Sequence, residues 1–217
     1  MTNHTVLILG SRGRFGLAAA RAFAAAGWRV LGQLRPEAAV PTDPMIEWLP
    51  IDLNDTATLT RAALGASVVV HALNPAYTNQ AWQSQGPAMM DAAIALCRLL
   101  GATLMLPGNI YNFGATMPPV LREGTPQAAH TVLGQVRIAL EAQMQAIGVR
   151  GVVIRSGDFF GGGRGTWFDL SISKDLRKGA LTYPGPMGVS TSWAYLPDLA
   201  RTFVAVAERR AQLQPFE

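Results

Sequence analysis

Gly10-Ser11-Arg12-Gly13-Arg14-Phe15-Gly16 is the stretch that decides the fold. Its glycines recur at every third position, directly after an apolar run, Val6 to Leu9, and directly before an alanine-rich segment. In that frame each glycine has its own task. Gly10 permits a tight turn, Gly13 lets the backbone approach a pyrophosphate, and Gly16 lets the helix pack closely on the strand. The free N–H groups of the helix N-terminus then face the anion. The whole run, Gly10, Ser11, Arg12, Gly13, Arg14, Phe15 and Gly16, is expected to bind a dinucleotide.

Downstream of the loop, short β-rich runs alternate with alanine-rich helical runs, the pattern of repeated βαβ units. Strands are expected over Thr5–Leu9, Arg29–Leu34, Ile46–Ile51, Ser67–His71, Ala102–Leu106 and Gly151–Arg155. Helices are expected over Arg14–Ala26, Asp55–Gly65, Pro87–Leu100 and Pro126–Ile147, with Gly27 and Gly148 as left-handed caps. Right-handed crossovers then put helices on both faces and ligands at the carboxyl ends of the strands. The fold class is α/β, a doubly wound parallel sheet of the Rossmann type. Residues 1–155 form the dinucleotide-binding part. Residues 156–217 form a small loop-rich appendage on the same domain, with five glycines in Gly157–Gly165, one helix over Thr166–Lys178 and a last one over Pro197–Arg210. Pro215 and Phe216 read as the lead into a further strand, with more chain expected downstream.

The chain has 217 residues, 49% hydrophobic and 15% charged. A charged share below the roughly 25% of an average soluble domain excludes disorder, and this length holds one core. The most apolar segment, Ile94 to Leu100, is interrupted by Arg98, so no membrane span is expected. Met1 to Gly10 has no basic leader, which predicts a cytoplasmic protein. Cys97, the single cysteine, sits in an apolar helical run and reads as a small core residue. With one cysteine and three separated histidines, no metal-ligand spacing exists. The net charge of +4 comes from 18 basic and 14 acidic residues, and the only lysines are Lys174 and Lys178. Arginines scattered without a run fit a phosphate-bearing small ligand rather than nucleic acid.

The end of the second strand selects the dinucleotide. An acid there bonds the ribose 2′-hydroxyl of NAD, whereas a basic residue accommodates a 2′-phosphate. Arg35 occupies that place, Arg12 and Arg14 are within reach of the same phosphate, and no carboxylate lies between Gly32 and Pro36. NADP is therefore expected, with NAD as the alternative. Asp52, with Leu53 beside it, is placed to bond the adenine edge.

Four further segments resemble the extended and atypical short-chain dehydrogenase/reductase superfamily, the branch of nucleotide-sugar epimerases and dehydratases. Val68-Val69-Val70-His71-Ala72 looks like the family's V-x-H-x-A element. The resemblance puts Ala72, Leu73 and Asn74 beside the nicotinamide ribose. Ile110-Tyr111-Asn112-Phe113-Gly114 is similar to its V-Y-G element, and Arg155-Ser156-Gly157-Asp158-Phe159-Phe160-Gly161 to its R-P-x-N-x-Y-G loop. Ala194-Tyr195-Leu196-Pro197-Asp198-Leu199-Ala200 resembles its F-V-x-V-x-D-L-A helix opening.

The resemblance implies hydride transfer with a Ser or Thr after the fifth strand and a Tyr-x-x-x-Lys pair on the next helix. Here the pattern departs. Anchored on Glu141, the lysine slot holds Arg137 and the tyrosine slot Leu133; counted from Tyr111, the serine slot holds Pro107. Leucine transfers no proton and proline donates none. On a helix His130, Leu133 and Arg137 share one face, so His130, with an ordinary pKa of about 6.5, is the first surrogate acid/base. Asn109 and Tyr111 are the alternatives as donors to a carbonyl. Trp167, Phe168, Tyr183, Trp193 and Tyr195 are candidates to pack on a substrate, or else are core. The reading is an NADP(H)-binding oxidoreductase or epimerase-like protein for a small carbonyl or sugar-like substrate. Its rival is a non-catalytic NADP(H)-binding or sensing protein. The resemblance also implies a homodimer paired through helices that include the one carrying Arg137.

Overall fold

A computed structural model describes residues 4–146, 148–163, 165–183 and 185–216. Six parallel strands form one sheet: β1 (Thr5–Leu9), β2 (Arg29–Leu34), β3 (Glu47–Pro50), β4 (Ala66–His71), β5 (Thr103–Gly108) and β6 (Gly151–Arg155). They lie in the order β3-β2-β1-β4-β5-β6. The chain runs outward from β1 to β3, then returns across β1 to start β4. That reversal opens a crevice at the carboxyl ends of β1 and β4, where ligands of such sheets bind.

Each face of the sheet is covered by helices. On one side α2 (Thr56–Ala62), α3 (Asn79–Leu100) and α4 (Val132–Ala146) bury Leu59, Met90, Leu96 and Met144 against Leu7, Leu31 and Leu104. On the other, α1 (Arg14–Ala25) and α5 (Leu196–Arg209) bury Phe23 and Phe203 against Ile8, Val30 and Met105. Each such side chain contributes roughly 1.5–3 kcal/mol. Phe15 meets Phe203 edge-on at 4.8 Å, tying the glycine loop's helix to the last helix. No helix among the described residues is long and apolar enough to cross a membrane.

Three expected helices differ. α3 starts at Asn79, eight residues before Pro87, which lies inside it. The Thr78 side chain caps it, accepting from Ala81 N–H at 3.2 Å, and the added turns bury Ala81 and Trp82. α4 starts at Val132 instead of Pro126, because Thr131 Oγ1 accepts from Gly134 N–H at 3.1 Å while Ala128 N–H is held by Asn112. Its expected end, Ile147, lies outside the described residues. The helix expected over Thr166–Lys178 is broken into a π turn at Phe168–Ile172 and a 3-10 turn at Leu176–Lys178. Thr166, Asp169 and Ser173 turn their side chains onto nearby backbone groups, which competes with a continuous helix. Two short strands, β7 (Asp158–Phe160) and β8 (Trp193–Tyr195), form an unexpected parallel pair. Phe216 makes a parallel bridge to Gly151 beside β6.

Candidate functional site

The glycine loop is shaped by contacts that no larger residue permits. Gly10 has φ +75°, and a Cβ there would lie 2.9 Å from the Ala72 carbonyl oxygen. A Cβ on Gly16 would press into the Gly10 carbonyl oxygen and lie 3.0 Å from Ser11 Cα, so only glycine brings α1 this close to the turn. Gly13 precedes α1 as its N-cap and donates its N–H to Gly10 O at 3.0 Å. Ser11 is fully buried and donates both its N–H (3.1 Å) and its hydroxyl (2.7 Å) to Gln33 O. Gln33 is a residue the sequence reading missed. Its Oε1 accepts from Gly10 N–H at 3.2 Å, and its Nε2 donates to Ile51 O at 2.9 Å, so one buried amide clamps the loop to two strands. A lone polar residue inside the apolar run of β2 was the available signal.

A cleft of about 1010 Å³ opens at this reversal. Of the expected cofactor residues, Gly10, Arg12, Gly13, Arg35, Asp52, Leu53, Ala72, Leu73 and Asn74 line it. Ser11, Phe15 and Gly16 are buried beneath it, where they set the loop's shape. Arg14 departs from expectation: its guanidinium lies against Gly165 of the appendage, where the missing side chain leaves room. Arg35 is largely exposed at the cleft rim, with Glu37 3.5 Å from its Nε. Asp52 Oδ1 accepts from the N–H and side-chain amide of Asn54, at 2.8 and 2.9 Å.

Pro75 and Ala76 also line the cleft, and the next residue, Tyr77, belongs to a polar cluster. The phenols of Tyr77 and Tyr111 are hydrogen-bonded at 3.1 Å. Burial pushes Tyr111 above its ordinary pKa, with the Tyr77 hydrogen bond adding to the rise and the Arg137 charge opposing it. The Arg137 guanidinium lies 4.4 Å from the Trp82 ring and 3.5 Å from Pro107 O, and burial lowers its pKa. Burial raises the Asp158 carboxyl. Asn109 Oδ1 accepts from Tyr111 N–H at 2.9 Å. His130 is a correction. It is exposed and precedes α4, so the helical face expected to align it with Leu133 and Arg137 does not exist. His71 is buried among apolar groups, and desolvation lowers its pKa to about 4.

The turn carrying Asn109 to Phe113 is anchored from behind. Arg155 binds Glu141 through two nitrogens at 2.9 and 2.5 Å, while Asn112 and Gln127 donate to the same carboxylate at 2.9 Å each. Glu141, first used only to count slots, thus ties α4 to β6 and the turn. In the appendage, Trp167 stacks on Trp193 at 5.7 Å and Phe168 meets Trp193 edge-on, while the Tyr183 hydroxyl donates to Val189 O.

A family model described as NAD dependent epimerase/dehydratase family matches residues 6–217. No curated protein matches the sequence. Among solved structures, UDP-glucose 4-epimerase from Brucella ovis in complex with NAD is similar, with TM-score 0.78 and 16% identity over 96% of this chain and 74% of that one. UDP-N-acetylglucosamine 4-epimerase from Bacillus cereus gives TM-score 0.78 and 12% identity over 95% and 72%. The Bordetella bronchiseptica enzyme WbmH in complex with NAD+ gives TM-score 0.78 and 16% identity over 94% and 72%. At these identities the likeness is one of fold.

Proposed function

The chain belongs to the NAD dependent epimerase/dehydratase family, and from that premise we propose that it binds NADP(H) in the cleft and acts on a small carbonyl or sugar-like substrate. The observation that carries the cofactor reading is the glycine cradle. Side chains at Gly10 and Gly16 would collide with backbone, and that exclusion lets α1 start from Gly13, at the edge of a cleft roomy enough for a dinucleotide. In the proposed complex the Gly10–Gly13 backbone takes the pyrophosphate, Asp52 and Leu53 flank the adenine, and Ala72, Leu73 and Asn74 flank the nicotinamide ribose. When bound, a pyridine dinucleotide supplies or accepts a hydride.

The preference for the 2′-phosphate form is supported by Arg12 and Arg35, which line the cleft, the latter just past the end of β2. Glu37 is a competing partner for Arg35, so a phosphate must draw the guanidinium from an exposed pair worth little. Fluorescence titration with NADPH and NADH tests both steps. NADPH is expected to bind more tightly, and Arg35→Ala to weaken NADPH alone by about tenfold, the low end for a charge-assisted hydrogen bond. Tighter NADH binding refutes the role of Arg35, and no binding of either refutes the cofactor reading. Epimerase-like turnover separates from a sensing role by the fate of NADPH with aldehydes, ketones and nucleotide sugars.

A further inference from the structure

We propose that the phenol pair of Tyr77 and Tyr111 is the proton donor to a substrate carbonyl oxygen, doing the work that Leu133 cannot. The inference rests on the cofactor reading above and names its proton donor. Its ground is placement. Tyr77 follows β4 on the segment whose Pro75 and Ala76 line the cleft, and Tyr111 sits on the turn after β5. Their hydroxyls meet at 3.1 Å, across the carboxyl ends of two adjacent strands, where the sheet binds its ligands.

The two phenols are unlike in a useful way. Tyr111 is partly buried and fixed, its N–H on Asn109 Oδ1 and its turn held by Asn112 on Glu141. Tyr77 is 70% exposed. An inner phenol therefore meets the substrate while an outer phenol meets water. Arg137 stands behind both as the positive charge that eases loss of a proton, and Asp158 is the facing carboxylate that resists it. Of the other two tyrosines, Tyr183 is bonded to Val189 O and Thr191, and Tyr195 packs on Phe160 in the appendage.

The balance of the step is simple. A carbonyl carbon that takes up a hydride from reduced pyridine dinucleotide leaves its oxygen as an alkoxide. The Tyr111 O–H bond breaks and a new O–H bond forms on the substrate. The phenolate left behind takes the proton of Tyr77, and Tyr77 takes one from water. One hydride and one proton are added overall, giving an alcohol. Burial and the Tyr77 hydrogen bond keep the Tyr111 phenol protonated, the form from which the proton is given.

Wild type, Tyr111→Phe and Tyr77→Phe are compared in three measurements: NADPH affinity by fluorescence, NADPH oxidation with 4-nitrobenzaldehyde and 9,10-phenanthrenequinone, and tyrosine ionisation by ultraviolet difference spectra through an alkaline titration. Unchanged NADPH affinity certifies the fold of each variant. Tyr111→Phe is expected to lose about 100-fold or more in turnover, the usual worth of a positioned proton donor, and Tyr77→Phe less, since water replaces the outer phenol. In the titration, the last of the four phenols to ionise is lost in Tyr111→Phe and ionises earlier in Tyr77→Phe. Wild-type turnover in Tyr111→Phe overturns the proposal. So does a wild type that binds NADPH and reduces neither carbonyl, while the cofactor reading survives. Absence of NADPH binding overturns that reading and this one together.

Discussion

Replacing Gly16 with alanine sets two effects against each other at one position. Alanine is the better helix former, by at most about 1 kcal/mol over glycine in a helix interior, and less in the first turn where Gly16 sits. The new methyl, however, presses into the Gly10 carbonyl oxygen and lies 3.0 and 3.1 Å from Ser11 Cα and the Gly10 carbonyl carbon, all backbone atoms. Relief requires α1 and the turn to move apart. The turn resists, because Ser11 makes two hydrogen bonds to Gln33 O, Gly10 a third to the Gln33 side chain, and Gly13 a fourth back to Gly10. Overpacking of this kind costs about 1–3 kcal/mol, so the clash wins by about 1–2 kcal/mol. At about 2–4 °C per kcal/mol for a chain of this size, the melting temperature falls by roughly 2–8 °C. Thermal unfolding followed by circular dichroism reads that fall. NADPH titration reads the second consequence, a weaker complex, because the displaced turn no longer aims its N–H groups at one place. A variant that melts higher than wild type and keeps its NADPH affinity would refute the close-approach reasoning, since helix propensity would have prevailed.

Removing Glu141 leaves the Arg155 guanidinium and the amides of Asn112 and Gln127 without their shared acceptor, so Glu141→Ala is expected to lose about 3–5 kcal/mol in urea unfolding, and Glu141→Gln clearly less. Equal losses would show that the carboxylate charge, not the hydrogen-bond count, dominates. His71 gives a pH signature: its folded value is about 4 against an ordinary 6.5, so the unfolded chain binds more protons between them. Its contribution is complete above pH 6.5 and declines at about 1.4 kcal/mol per unit as pH falls toward 4, about 3 kcal/mol in all. Stability measured over that range should decline more steeply in wild type than in His71→Leu, and parallel curves would mean that the imidazole is protonated without cost.

The sheet was legible because its signals are local. β1, β2 and β6 have the bounds read from their apolar runs, and the glycine loop joins β1 to α1 as its spacing requires. α3 shows where local signals mislead. Proline is at home in the first turn of a helix, so Pro87 reads as a start. It is nonetheless interior, and the reason stands beside it. Proline disfavours helical backbone in the residue before it through a clash with that residue's Cβ. Gly86 has none, so the helix passes through, losing one backbone hydrogen bond while gaining the burial of Trp82 and Ala81. A Gly-Pro pair in an alanine-rich run thus punctuates less than either residue does alone.

The site divides along the same line. Residues of the cleft were readable because the carboxyl ends of β1 to β4 each deliver a short segment to it: Gly10 to Gly13, Arg35, Asp52–Leu53 and Ala72–Asn74. The phenol pair was legible only in part, because Tyr111 stood among the candidate donors while its partner lay elsewhere in the sequence. Tyr77 and Tyr111 are 34 residues apart, and nothing in either segment announces the other. His130 suits the role only on a helix six residues longer than α4, and the Thr131 cap leaves it outside. A Tyr-x-x-x-Lys pair would depend on one helical spacing within α4, where Leu133 and Arg137 stand. A set assembled across two strand ends depends instead on the buried Glu141 carboxylate that fixes the Tyr111 turn. Turnover should therefore be more sensitive to the network behind the turn than to the exposed His130 ahead of α4.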